Sequence, residues 1–316
     1  MQTKIATSIL TLACAGWAAS GCKDALAHHP DCDTASRVAL EAMQSRHLEA
    51  VTVVQYVDSP MLAAFAASHP SKLDISTPVL PLALSEVFLA ASWWDRKLAK
   101  PPVDLHEMLV GGSDSEGREA ALALRKAVGT PAVMADLRRY GFNRGGHPPA
   151  GSARLAALKN ADWASALSIG ESYMTVTPLQ VSQFFQAVGN NGMVCSPVTH
   201  RITSERDLGC NSPTRMVEED TAKQIMDALA DTVKRGTAAG IATALESVGW
   251  SIGGKTGTGG RAGAPMEEQD GWFAGLIFDN TGKARYTVAS FVRRGGKGGG
   301  NAAEISAAVA RVLAEE

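Results

Sequence analysis

The sequence predicts an α+β fold: one antiparallel sheet built from N- and C-terminal strands, with a helical lobe inserted between them. Three observations predict it. Two β-rich runs, 51–57 and 61–67, stand near the start of the chain; three more, 248–258, 271–278 and 284–292, stand near its end; and the stretch between repeats apolar residues at helical spacing. With 316 residues, 45% of them hydrophobic and 20% charged, the chain can bury a sizeable core, and it shows no internal repeat and no second independent core. A formal net charge of -2 leaves no basic excess, which sets aside nucleic acid and anionic membrane surfaces as partners.

The first segment reads as an export signal. Lys4 precedes an apolar run from Ile5 to Ala19, too short to span a bilayer comfortably and of the right length for the apolar part of a leader. Two cleavage points compete: Ala19-Ser20-Gly21-Cys22 resembles the box before a lipid-modified cysteine, and Ala25-Leu26-Ala27 fits ordinary leader cleavage. Residues 1–27 are therefore expected to be a leader, cut near 21 or 27, and 33–316 a folded domain, periplasmic or anchored to the envelope by lipid on Cys22. Once Cys14 leaves with the leader, Cys22, Cys32, Cys195 and Cys210 remain. A disulfide between Cys195 and Cys210 would staple the short polar segment they flank, and Cys22 is either acylated or paired with Cys32. No Cys-x-x-Cys or Cys/His cluster has metal-site spacing and His28-His29 is isolated, so the sequence predicts neither a metal nor a cofactor.

The elements follow in order. A helix from Thr34 to Arg46 precedes a hairpin whose strands, Val51 to Val57 and Met61 to Ala67, join at Asp58-Ser59-Pro60. After a loop at 68–74, Thr77 can cap a helix with Pro78 at its first position; Leu84, Val87, Phe88, Ala91, Trp94 and Leu98 give that helix one apolar face. Ser76 then stands at the amino end of a buried helix, where outward N–H groups and the macrodipole favour developing negative charge, although plain capping accounts for a hydroxyl there too. Gly111-Gly112 leads into a second helix with Ala120, Ala121, Leu124 and Val128 on one face, and Ser113 with Glu116 matches a capping box. Thr130-Pro131 starts another helix, ended by Gly141, and 145–151 reads as a surface loop. Thr177-Pro178 opens a helix to about Val188, and Asn190-Asn191-Gly192 turns the chain into a strand. A helix from about Glu218 to Arg235 buries Ile225, Met226, Leu229 and Val233 and stops at Gly236-Thr237. The last two strands meet across Asp279-Asn280-Thr281-Gly282, and a closing helix runs from Asn301 to Ala314.

One stretch has the composition of a strand beside a ligand. In Trp250-Ser-Ile-Gly-Gly-Lys-Thr-Gly-Thr-Gly-Gly260, the glycines at 253, 254, 257 and 259 weaken a strand unless another backbone comes close, so they suggest an open flank. Lys255 adds a fixed positive charge. Thr256 and Thr258, two residues apart, share a face on which both hydroxyls could meet a carboxylate or a carbonyl; a glycine-rich hairpin with a solvated lysine fits the same residues.

The order of these motifs resembles the penicillin-binding protein transpeptidase domain, in the superfamily that includes serine β-lactamases. Lys255-Thr256-Gly257-Thr258 matches the strand motif of that family, and Ser168-Ile-Gly-Glu followed by Thr177-Pro178-Leu179-Gln180 matches the start of one of its helices. Asn190-Asn191-Gly192 and Gly236-Thr237 fall in the family's order, Ser113-Asp114-Ser115 is similar to its Ser-x-Asn triplet, and the likeness runs from about Asp33 to the end. The resemblance implies a serine acyl-enzyme site acting on peptidoglycan stem peptides or β-lactams at the cell envelope. It places the nucleophile at Ser76, an oxyanion hole at the N–H groups of Ser76 and Thr258, and a proton relay at Ser113 and Lys255. Substrate contacts would come from Ser115, Thr256, Gly257 and Thr258, with the strand edge open to a peptide by β-addition.

The family pattern then breaks. It asks for Ser-x-x-Lys, whose lysine takes the serine proton, and the chain reads Ser76-Thr77-Pro78-Val79; Ser115 stands where the triplet has asparagine. Losing the base alone costs about 10²–10⁴-fold in rate. Three functions remain open at this level: an active D,D-transpeptidase or carboxypeptidase in which Lys255, Lys72 or Lys97 replaces the missing base; a non-catalytic envelope protein that binds peptidoglycan peptides or β-lactams; and a structural partner of other cell-wall proteins.

Overall fold

The runs marked by β-branched residues and alternation join into one five-stranded antiparallel sheet in the computed structural model, which describes residues 30–68, 73–142, 157–170, 174–195, 210, 212–261 and 263–315. Helix α1 (Pro30–Ser45) leads into the hairpin β1 (Glu49–Tyr56) and β2 (Leu62–Ala67). The helical lobe follows as α2 (Ser85–Asp95), α3 (Leu105–Gly111), α4 (Asp114–Val128), α5 (Thr130–Arg139), α6 (Asn160–Ser168) and α7 (Pro178–Gly189). A short ribbon of β3 (Met193–Val194) and β4 (Thr214–Arg215) precedes α8 (Glu219–Arg235); then β5 (Ser251–Gly259), β6 (Asp270–Phe278), β7 (Ala284–Arg293) and α9 (Asn301–Glu315) complete the chain.

The sheet order is β2-β1-β7-β6-β5. β1 pairs with β7 from Glu49↔Arg293 to Tyr56↔Tyr286, so the two ends of the chain meet at the middle of the sheet and the lobe is an insertion between them. The expected architecture is the observed one. Both faces are covered, which is why the central strands read as nearly continuous apolar runs rather than alternating ones. On one face Val54, Phe273, Val288 and Val292 pack with Met43, Ile305 and Val309 of α1 and α9; on the other, Val53, Leu276 and Phe291 pack with Phe88, Phe184 and Leu229 of the lobe.

Phe88 centres the lobe. Its ring lies 3.9 Å from that of Phe142 and 4.4 Å from that of Phe184, and each such ring fully buried contributes about 1.5–3 kcal/mol. The far end of α2 is fixed by charge: Arg139 donates to Asp95 at 2.7 Å, Arg96 donates to Asp136 at 2.6 Å, and Asp95 also accepts from the backbone N–H of Glu218 at 2.9 Å. The helix that carries the candidate site is therefore held at its middle and at its far end.

One boundary differs from the sequence expectation in a way that matters. Thr77-Pro78 does not start a helix. Val79 instead forms an antiparallel bridge with Val176, a 3-10 turn occupies Leu82–Leu84, and α2 begins at Ser85. The bridge takes the N–H and C=O of Val79, and Leu82 adopts φ +53°, so no helix can run through from Pro78. Two further helices, α3 and α6, were not expected; α3 is a two-turn helix whose cap, Asp104, accepts from the N–H groups of His106 and Glu107. Cys195 and Cys210 are bonded, with Cα atoms 5.3 Å apart. The leader, Cys22, Lys72, Glu171 and the loop expected at 145–151 lie outside the described residues. Among the described residues no helix is long and apolar enough to cross a membrane.

Candidate functional site

β5 is a terminal strand: one edge pairs with β6, Lys255 opposite Ala274 and Gly257 opposite Trp272, and among the described residues no strand lies along the other. Alternation along the strand sends Lys255 and Gly257 toward the helical lobe and Thr256 and Thr258 toward the opposite face. A Cβ at Gly257 would stand 3.2 Å from Leu82 Cβ and 3.3 Å from the Ala83 nitrogen; one at Gly299, ahead of α9, would stand 3.8 Å from Thr256 Cγ2. The other glycines of the motif also admit neighbours from within the protein. A Cβ at Gly253 would meet the backbone of α8 at 3.1 Å, and one at Gly254 would lie 2.4 Å from the Phe273 ring. The open flank expected from these glycines is thus mostly internal packing.

Lys255 is not solvated. It is 4% exposed, Glu86 is 2% exposed, and the ammonium lies 2.9 Å from Glu86 Oε2. The approach is that of an ion pair off hydrogen-bond alignment, and Oε2 accepts no hydrogen bond among the described residues. Burial pushes the Glu86 carboxyl above its ordinary range; Lys255 opposes that shift, and the negative charges of Asp114 and Glu116 add to it. The first turns of α4 close over the pair. A Cβ at Gly117 would come within 2.9 Å of both Glu86 Oε1 and Ser168 Cβ, so only glycine fits there. Ser168 is fully buried, its carbonyl accepts from the Ser85 hydroxyl at 2.9 Å, and its own hydroxyl has no partner among the described residues.

The residue set against Gly257 is Ala83. Leu82, immediately before it, is a bulky residue in the left-handed region at φ +53°, a conformation that costs about 1–3 kcal/mol and persists only where the surroundings impose it. Those surroundings are Gly170, where a Cβ would lie 2.1 Å from the Leu82 carbonyl oxygen, and the β5 edge at Gly257. From Pro81 to Trp93 every residue except Ala83 is buried.

The predicted site residues divide between two places. Lys255 and Gly257 line one face of β5 against Glu86 and Ala83, and Gly117 in the first turns of α4 lies against Glu86, while Ser113 and Ser115 are exposed at the amino end of that helix. Ser76 does not stand at a helix tip: it is exposed in a turn, where its backbone N–H and its hydroxyl both donate to Asp74 Oδ1 at 2.7 Å. Ser113 caps α4 in the expected capping box, and its hydroxyl is also 2.7 Å from that of Ser115 and 3.0 Å from Glu116 Oε2. Thr256 and Thr258 share a face, as expected, but it is the face away from Lys255. The Thr256 hydroxyl lies 2.6 Å from that of Thr237, and the Thr258 hydroxyl accepts from Gly298 N–H at 3.0 Å. Sequence reading missed Glu86 and Ala83, and it noted Gly236-Thr237 only for its place in the motif order, without the contact to Thr256. The signal for Glu86 was present: a carboxylate amid apolar residues on a buried helix needs a cation, although the sequence does not say which one.

The transpeptidase domain model of the penicillin-binding proteins matches residues 125–311, more than half of the chain. The chain belongs to the penicillin-binding protein transpeptidase family. Its similarity to solved transpeptidase domains extends over most of its length: the apo domain of Burkholderia pseudomallei penicillin-binding protein 3 superposes with a TM-score of 0.69 at 16% identity, over 93% of this chain and 95% of that one. The D,D-transpeptidase domain of a peptidoglycan glycosyltransferase from Eggerthella lenta gives 0.68 at 17% identity, covering 89% and 81%. The transpeptidase domain of the FtsI4 D,D-transpeptidase from Legionella pneumophila gives 0.63 at 17%, covering 91% and 96%. No curated protein matches the sequence. The family match takes in Ser168 and the Lys255 to Thr258 motif of this transpeptidase-type domain, and Ser76, Ala83, Glu86 and the Ser113 triplet all lie ahead of it.

Proposed function

We propose that this domain is an exported envelope protein that binds peptidoglycan stem peptides, or β-lactams, in a transpeptidase-type cleft along β5 without forming an acyl-enzyme. One observation carries the reading: the partner of Lys255 at the start of α2 is a buried glutamate, Glu86, and not a second lysine. A serine hydroxyl is a poor nucleophile at neutral pH unless a base takes its proton, and a carboxylate held against an ammonium 2.9 Å away is already committed. Of the lysines weighed as replacements for the missing base, Lys97 is exposed beyond the far end of α2, about 15 Å along the helix from its first turn, and Lys255 is taken. Ser76 lends its hydroxyl to Asp74, which lacks the basicity of an amine. What the cleft retains favours binding: a strand edge with no strand beside it among the described residues, where an extended peptide could pair by β-addition. The leader at 1–27 would bring the domain at 33–316 to the envelope, free in the periplasm or anchored through Cys22, where cell-wall proteins are further partners.

The test is incubation of the purified protein with a fluorescent penicillin, followed by a denaturing gel, alongside calorimetric titration with a stem peptide. The expected result is no covalent label and reversible peptide binding. A label that disappears in Ser76→Ala would overturn the reading in favour of an acyl-enzyme at Ser76.

A further inference from the structure

We infer that Ala83 and Glu86 occupy the places at which this cleft would carry a nucleophile and its base, and that restoring both groups is enough to allow acylation even with Ser115 in place of the triplet's asparagine. This rests on the family reading above and goes beyond it by naming the two positions whose replacement withholds the nucleophile and its base. Four observations carry it. Ala83 is the one residue between Pro81 and Trp93 that is not buried, so a hydroxyl added there meets the cleft rather than the core. Its amide nitrogen borders the space that Gly257 leaves empty, 3.3 Å from where a Cβ would be. Glu86, three residues on, past the 3-10 turn and in the first turn of α2, reaches Lys255 at 2.9 Å, which is the spacing of Ser-x-x-Lys transferred to Ala-x-x-Glu. The left-handed backbone at Leu82 presents Ala83 to the strand edge, and an alanine gains nothing from that presentation.

The chemistry balances without a further reagent. A hydroxyl introduced at 83 attacks the lactam carbonyl carbon and forms an ester as the carbonyl C–N bond breaks. Its proton passes to an amine introduced at 86 and from there to the departing ring nitrogen. The present carboxylate at 86 does not serve, because it is buried against Lys255.

The experiment compares wild type, Ala83→Ser, Glu86→Lys and Ala83→Ser/Glu86→Lys by intact mass and peptide mapping after exposure to a fluorescent penicillin, with folding checked by circular dichroism. The double variant is expected to gain one adduct per chain at position 83, Ala83→Ser to acquire it about 10²–10⁴-fold more slowly, and the other two to remain unlabelled. Because Glu86→Lys sets two ammonium groups side by side, Ala83→Ser, one oxygen larger with the ion pair intact, decides the matter if the double variant does not fold. Folded variants carrying Ala83→Ser that stay unlabelled, or an adduct mapping elsewhere, would overturn the inference while leaving the binding reading in place. Labelled wild type would overturn that reading first.

Discussion

At the scale of single residues, the same short sequence supports two different local structures, and Ser76 shows how. Asp74-Ile75-Ser76-Thr77-Pro78 has the composition of a helix cap and equally of a turn in which aspartate collects nearby donors. The turn wins, because the bridge of Val79 to Val176 draws the chain into an extended course. Burial works to raise the Asp74 carboxyl, but hydrogen bonds from Ser76 and Thr77 outweigh it and hold the group below its ordinary value of 3.8. The sign follows from linkage: the folded form stays ionised to lower pH than the unfolded form, so this contribution to stability is present above the ordinary value and is lost as pH falls through the folded one. Urea midpoints measured from neutral pH downward should therefore show a shallower acid limb for Asp74→Asn than for wild type. The difference should be modest, since the group is partly exposed; identical limbs would show that the turn adds nothing.

At the scale of elements, propensity and capping were legible wherever the signal was local. The box of Ser113 with Glu116, the start of α7 at Thr177-Pro178 and the long amphipathic α8 all fall where the sequence places them. What the sequence does not reveal is what each motif glycine admits. Gly254 reads as a ligand-approach glycine and is in fact a seat for the Phe273 ring, 2.4 Å from a Cβ placed there. Gly254→Ala should accordingly destabilise the domain by about 1–3 kcal/mol, seen as a lower thermal midpoint, by forcing the Phe273 ring aside between β5 and the C-terminal helix layer. An unchanged midpoint would mean that the ring has room to move.

At the scale of the whole molecule, the N- and C-terminal segments close the sheet through β1 and β7, the lobe between them packs on one face of that sheet, and a disulfide ties Cys195 to Cys210. The Cys195–Cys210 bond closes a segment with a sequence separation of 15, for which loss of the cross-link costs about 3 kcal/mol through the unfolded chain. Cys195→Ser/Cys210→Ser should lower the thermal midpoint while leaving the far-ultraviolet spectrum of the folded state unchanged, because the cysteines stand outside the five-stranded sheet. A loss of sheet signal would instead show that the bond is needed to assemble the fold.

The sequence by itself determined the fold class, the order of the motifs and the identity of the strand carrying Lys255, because periodicity, capping chemistry and glycine spacing are properties of neighbouring residues. Which side chain faces that lysine was decided only in three dimensions. Glu86 and Lys255 are far apart along the chain, and their meeting depends on a strained leucine, two packing glycines and a helix that starts seven residues later than its proline suggests. A buried charge must find its opposite wherever the fold brings one, and no local pattern records that choice.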